Sequence, residues 1–372
     1  MSERVRLIRK DLRVGMTVPW NIYDLEGRKL LAKGQELRSE KMLDEMCQYV
    51  LFHDFPEYLQ NAQKNQGKLN VFDKSRDYIT RIERVFDELE EGSPDCVDKI
   101  NSLAKDIQSL CDRESDAVLA AVHVQNEYPY VFFHPLQCAY LSVLIARRAG
   151  FTDDECFCLA AASILANVGM RHTQERLTGQ KEPLNAEQSN IIKQHPQKSV
   201  DMLRAVNFSN EAVLNIMLEH HERCDGSGYP HGFKRDDICR GALVLAVVDR
   251  YGSMISSRNY REPLLTKVAL QHFFKDKGSH YEVQFSLLLI KELTVFPPGS
   301  FVKLTNGEIA IVVFRGKMSP MEPLLKSLLG PNGEEYANPL VRDLSMHDFE
   351  IESTCSYKSE KPLNCGKLWG YI

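Results

Sequence analysis

Residues 214–230 read Leu-Asn-Ile-Met-Leu-Glu-His-His-Glu-Arg-Cys-Asp-Gly-Ser-Gly-Tyr-Pro, and this stretch carries both the period and the chemistry of the chain. Leu214, Met217 and Leu218 recur at helical spacing and predict a helix with its apolar face on a core. The helix runs out at His220-His221. Neighbours on a helix point about 100° apart, so adjacent histidines can grip one ion only at a helix end or a distortion. Gly226, Gly228 and Pro230 supply such a break and a tight loop. Neutral imidazoles suit Fe, Mn, Zn or Ni. The pair reads equally as a capped helix end with two solvated rings.

Outward from this stretch, the period stays near 3.6. Ile79, Ile82, Phe86 and Leu89 mark one helical face. Val97, Ile100, Leu103, Ile107 and Leu110 mark another after the Gly92-Ser93-Pro94 break. A helix from near His134 ends at Gly150. Thr152 with Glu155 predicts a capping box for a helix through about Val168, and Asn185 with Gln188 a similar cap for the next. Ala242–Val248 opens a further helix, and amphipathic helices follow near 264–275 and 281–294. After Pro297-Pro298-Gly299 the period falls towards 2. Phe301–Leu304 and Ile309–Phe314, joined around Asn306-Gly307, predict a β-hairpin. The tail from 315 has little pattern.

The front differs. Residues 1–54 alternate in short runs, with a turn at Tyr23–Gly27 between extended segments Val18–Tyr23 and Arg28–Ala32. Ser39 caps a short helix through Met46, and Tyr49–Phe52 reads as a strand. The expected class is mainly α: an all-helical bundle over 126–296, a small α+β N-terminal domain over 1–54 and a short β extension with tail over 297–372. Residues 55–70 are a linker and 71–125 a helical connector.

The 372 residues are 43% hydrophobic and 26% charged, too apolar for a disordered chain. No apolar run reaches the ~18 residues of a transmembrane helix, and the first residues lack a secretory h-region. Lys and Arg number 46 against 51 Asp and Glu, a net of −5, which argues against bulk binding to a nucleic-acid polymer. The ten cysteines form no CxxC pair, and Cys138 and Cys158 lie in apolar runs, so reduced thiols and a cytoplasmic location are expected. His53, His123, His172, His231, His272, His280 and His347 show no partner pattern. His53-Asp54 reads as a surface turn at a strand end.

His220–Pro230 resembles the signature of the HD-GYP domain, a branch of the HD superfamily of metal-dependent phosphohydrolases. The resemblance covers roughly 126–296. His134 falls at the family's first helical histidine, His195-Pro196 at its later His-Pro, and Asp249 at its terminal metal-binding aspartate. Arg258-Asn259-Tyr260-Arg261 resembles a stretch whose basic residues contact substrate phosphates. The resemblance implies His195, His220 and His221 as ligands of one metal, His134 and Asp249 as remnants of another site, and Arg258 and Arg261 as substrate contacts. It implies cyclic di-GMP as substrate or ligand. The loop Asp225, Gly226, Gly228, Tyr229 and Pro230 is implied as a docking surface for a partner such as a diguanylate cyclase (GGDEF) domain.

The chain departs from the family at its name-giving His-Asp pair, where it has Ala166 and Asn167. Met170 stands at the family's lysine, and Tyr130 where metal-richer members carry a glutamate. Ala166 cannot ligate, and Asn167 offers a neutral carbonyl in place of a bridging anion between two repelling dications. The expectation is one divalent metal (Fe, Mn, Zn or Ni) or none, with hydrolysis lost or weak. The chain then acts as a binding or docking module. Two other readings stay open: a working phosphodiesterase with a mononuclear tri-His centre, and a structural adaptor whose working part is residues 1–54. Taken singly, His134 and His195 also read as structural histidines, Asp249 as an arginine partner, and Arg258 and Arg261 as surface charges.

Overall fold

Four short antiparallel strands open the chain: β1 (Arg4–Leu7), β2 (Ile22–Tyr23), β3 (Lys29–Leu31) and β4 (Leu51–Asp54), in the order β1-β4-β2-β3. The computed structural model describes residues 4–7, 9–18, 20–54, 69–124, 127–256, 262–276, 278–316, 319, 321–344, 349–357 and 362–371. Helix α1 (Glu40–Cys47) starts where the Ser39 hydroxyl accepts the Met42 N–H. Val18, Trp20, Ile22, Leu31, Leu37, Leu43 and Leu51 pack into the core of this part. His53 and Asp54 pair with Val5 and Arg4 in the sheet, so they are strand residues and not a turn. Most of the expected linker, 55–68, lies outside the described residues.

Eleven α-helices follow among the described residues: α2 (Val71–Glu90), α3 (Cys96–Arg113), α4 (Ser115–Val124), α5 (Tyr130–Arg148), α6 (Asp153–Leu165), α7 (Arg171–Gly179), α8 (Ala186–Ala205), α9 (Glu211–Glu219), α10 (Arg240–Ile255), α11 (Thr266–Asp276) and α12 (Val283–Leu293). Helix α5 is buried on every side from Val131 to Ala146, the mark of a central helix. Helices α3, α6 and α10 pack around it. It begins a turn before His134, because the Pro129 carbonyl accepts the amides of Phe132 and Phe133. Both expected capping boxes form, Thr152 with Glu155 and Asn185 with Gln188. Helix α6 stops at Leu165 instead of near Val168. Ala166 and Asn167 lead there into a tight 3-10 turn, Val168–Met170. On α9 the buried face is Val213, Leu214, Ile216 and Met217, and Leu218 is only half-buried.

The tail is richer than its sequence pattern. Strands β5 (Phe301–Leu304), β6 (Ile309–Phe314), β7 (Leu324–Leu329), β8 (Glu335–Asp343) and β9 (Ile351–Thr354) form an antiparallel sheet in the order β8-β7-β6-β5-β9, and a short helix α13 (Cys365–Leu368) follows. Register shifts at Val312/Phe314 and Ser327/Leu329 break the alternation that would have betrayed these strands. Pro339 sits on β8, an edge strand, where a missing N–H is tolerated. Arg342 on β8 is fully buried. It donates to Glu308 at 2.9 and 2.7 Å and reaches Asp11 at 3.5 Å. Front and tail, separate parts in the sequence reading, thus belong to one unit (up to 68 and from 301), and residues 69–300 form the other.

Candidate metal centre

Among the described residues, two groups of ligand-type side chains stand in the helical unit. The first is His195 on α8 with His220 and His221 at the end of α9. Helix α9 is set by Asn210, whose side chain caps it at Val213 N–H. His220 Nδ1 donates to the Met217 carbonyl at 2.6 Å, and His195 Nδ1 to the Ile192 carbonyl at 2.7 Å. A carbonyl only accepts, so both rings carry their proton on Nδ1 and present a bare lone pair at Nε2. The two Nε2 atoms face each other at 3.4 Å. Two lone pairs so placed repel unless a cation lies between them. A tetrahedral ion with ~2.0–2.1 Å bonds to nitrogen holds its imidazole nitrogens ~3.4 Å apart. The spacing therefore fits a divalent ion.

Burial keeps these rings neutral. It pulls His195 down to about 3, with neighbouring His220 adding to the effect. His220 is lowered by burial, and His221 falls well below the usual range through burial and then His220.

The second group is His134 and Cys138 on α5 with Asp249 on α10. His134 Nε2 donates to Asp249 Oδ1 at 2.9 Å, and Cys138 Sγ lies 3.6 Å from the same nitrogen. Burial works against the Asp249 charge, but the His134 hydrogen bond and the surrounding imidazoles outweigh it and hold the carboxyl well below its usual range. Asp249 thus has His134 as a partner; the alternative, Arg258, lies outside the described residues. The Tyr130 ring stacks on His134, centroids 4.8 Å apart.

Both groups border one cavity of about 310 Å³, whose wall includes His134, Asp249, His221, Asn167, Met170 and Tyr229. Asn167 is 4% exposed, and its Oδ1 is buried without a hydrogen-bond partner. So is Gln174 Oε1 on the same wall. Buried unpaired oxygens are costly and call for a ligand. The turn holding Asn167 is clasped to α8. Ser199 Oγ donates to the Ala166 carbonyl and accepts the Gly169 N–H, both at 2.9 Å. A Cβ on Gly169 would fall 2.7 Å from Ser199 N and 2.8 Å from His195 O, so only glycine fits.

The loop after α9 is anchored from within. The buried Glu222 carboxylate accepts the N–H groups of His231, Gly232 and Phe233 at 2.7–3.1 Å. A Cβ on Gly228 would lie 2.4 Å from Arg223 N. Tyr229 turns inward against His221, centroids 4.9 Å apart. Asp225 and Pro230 face solvent, and Gly226 takes a positive φ beside them.

The structure therefore gathers His195, His220 and His221 in one group, His134 and Asp249 in a second, and Ala166 and Asn167 in the turn beside them. Arg258 and Arg261 lie outside the described residues. Sequence reasoning missed Cys138 and Gln174. The i, i+4 spacing of His134 and Cys138 was a usable signal; Gln174 had none. Three histidines taken as partnerless have partners. His123 bonds Leu119 O and Tyr251 Oη, His172 lies 3.1 Å from Glu90, and His280 bonds Asp276.

The chain is similar to known proteins. A family model described as HD domain matches residues 121–284. The chain is 25% identical over 226 residues to the cyclic di-GMP phosphodiesterase PA4108 of Pseudomonas aeruginosa, covering 61% of this chain and 54% of that protein. It is 32% identical over 168 residues to a cyclic di-GMP phosphodiesterase of Thermotoga maritima, covering 43% and 45%. The chain thus spans about half the length of these curated relatives. Among solved structures, Bd1817, an HDG"Y"P protein from Bdellovibrio bacteriovorus, aligns with a TM-score of 0.53 at 18% identity, over 78% of this chain and 99% of that one. That likeness is one of fold. No helix among the described residues is long and apolar enough to cross a membrane.

Proposed function

We propose that the chain is a cyclic di-GMP signalling protein of the HD-GYP type that binds the nucleotide without efficient cleavage. Its metal would be a divalent transition ion on His195, His220 and His221. The observation that carries this reading is Asn167: a neutral, unpartnered amide oxygen stands on the cavity wall beside both ligand groups, next to Ala166, which cannot ligate. Two-metal hydrolysis rests on a pair of close cations acting on the attacking and leaving oxygens, and without a carboxylate between them such a pair repels. An ion held by the three imidazoles would supply Lewis acidity toward a phosphoryl oxygen. The Asp249 carboxylate, kept anionic by the His134 hydrogen bond, places a negative charge at the cavity wall, and Met170 contributes none.

In this reading Arg258 and Arg261 pair with the phosphates. The solvent-facing Asp225 and Pro230 offer a contact for a partner such as a diguanylate cyclase domain, in the cytoplasm. The second reading is a working phosphodiesterase that uses the same single ion, for which the paired Nε2 atoms 3.4 Å apart leave room.

The test is purified protein supplied with Mn or Fe and cyclic di-GMP, with binding followed by calorimetry and products by chromatography. Micromolar binding with no product is expected. Turnover that disappears in His220→Ala would establish the second reading. Absence of both binding and turnover would leave only partner docking.

A further inference from the structure

The reading above makes no use of Cys138. This thiol is 1% exposed, one turn beyond His134, and faces α10 where Gly252 removes a side chain. A Cβ at 252 would lie 3.2 Å from His134 Nδ1 and 3.9 Å from Cys138 Sγ. Bare backbone thus makes room for the ring and the sulfur together. His134 Nε2 is the vertex of the group, 3.6 Å from Cys138 Sγ and 2.9 Å from Asp249 Oδ1. In a tetrahedral zinc site with ~2.0–2.1 Å bonds to nitrogen and ~2.3 Å to sulfur, the N···S edge is ~3.6 Å and the N···O edge ~3.4 Å. The sulfur already stands at its distance, and the carboxylate needs to withdraw by about half an ångström, which an incoming ion accomplishes by replacing the hydrogen bond.

We infer that His134, Cys138 and Asp249 form a second metal site, in which a thiolate supplies the negative charge that Asn167 does not. On coordination the Cys138 proton passes to solvent, and the His134 proton moves from Nε2 to Nδ1 so that Nε2 offers its lone pair. One carboxylate and one thiolate then neutralise this ion, which lowers its repulsion with a second one, while the bridging position between the two still lacks a carboxylate. Sulfur makes the site soft and favours zinc over manganese. Asp249 is only partly buried and opens onto the cavity, which leaves a coordination position for a ligand.

The inference rests on the reading of this cavity as metal-binding, and the two fail separately. The full chain is stripped with chelator, loaded with Co²⁺, and examined for stoichiometry and for thiolate-to-cobalt charge-transfer absorption. Two cobalt ions per chain with a thiolate band are expected. Cys138→Ser should lose the band and one ion, whereas His220→Ala should lose one ion and keep the band. Bound cobalt without a thiolate band, or a band that survives in Cys138→Ser, overturns the second site and leaves the tri-His ion standing. No bound cobalt at all overturns both. Should Cys138→Ser fail to fold, Cys138→Ala and the wild-type spectrum decide the matter.

Discussion

Replacing Asn167 by Asp changes almost no volume and places a carboxylate where the structure has an unpartnered amide oxygen. The position is 4% exposed and shares its cavity with the Asp249 carboxylate. An uncompensated buried charge costs about 3–5 kcal/mol. The new carboxyl can escape by taking a proton, which at pH 7 costs about 1.4 kcal/mol for each unit above the unfolded value near 3.9, or about 4 kcal/mol in all. Protonation therefore caps the loss, and about 3–4 kcal/mol is expected without metal. For the unit of residues 69–300, of a size at which 1 kcal/mol moves Tm by about 2–4 °C, this is a fall of about 6–16 °C. The loss shrinks as pH falls towards 4, where the unfolded state also protonates. A divalent ion reverses the sign, since free metal at 100 times its Kd adds about 2.7 kcal/mol per site, and the new carboxylate lowers that Kd. Scanning calorimetry of both proteins with EDTA and with Mn²⁺ checks both halves. An Asn167→Asp variant as stable as wild type in EDTA at pH 7, or one that gains no more from metal than wild type does, refutes the reasoning.

Gly169→Ala should cost about 2–4 kcal/mol in urea unfolding, from overpacking against the Ser199 and His195 backbone plus strain on the Ser199 hydrogen bonds; it should also weaken metal binding by displacing His195. Gly92→Ala meets open space at φ +72 and should cost only about 1 kcal/mol. Burial lowers His123 to about 4. Its neutral form is shared by folded and unfolded chains above about 6.5, so stability should fall only as pH drops from there towards 4, by up to about 3 kcal/mol. His123→Gln should flatten that slope in urea midpoints measured at pH 7 and 4.5. Arg342→Met strands the buried Glu308 carboxylate and should cost about 3–5 kcal/mol, with much of it recovered in the Arg342→Met, Glu308→Gln double variant, as read by thermal unfolding.

Helices with sharp ends were legible. Thr152 with Glu155 and Asn185 with Gln188 announce themselves by local chemistry, and both boxes form as written. Of the tri-His group, His220 and His221 were legible as a pair at a helix end, whereas only the resemblance to the HD-GYP signature set His195 beside them. The five-stranded sheet was not, since bulges scramble its period and its buried ion pair joins Arg342 to Asp11 across 331 positions. Cys138 was overlooked because a thiol in an apolar run looks like packing, and only α10 bringing Asp249 alongside gives it chemical company. Gln174 needed the 3-10 turn at Val168–Met170 to swing α7 over the cavity.

The Ser199 clasp bears on how this site can be altered. It grips the main chain at Ala166 and Gly169, and neither contact involves the side chains at 166 and 167. Those two side chains can be exchanged while the peptide path and the placement of His195 stay put. Chemistry at the cavity wall is thereby separated from the scaffold at position 167, where an isosteric side chain alters the charge without rebuilding the helices behind it.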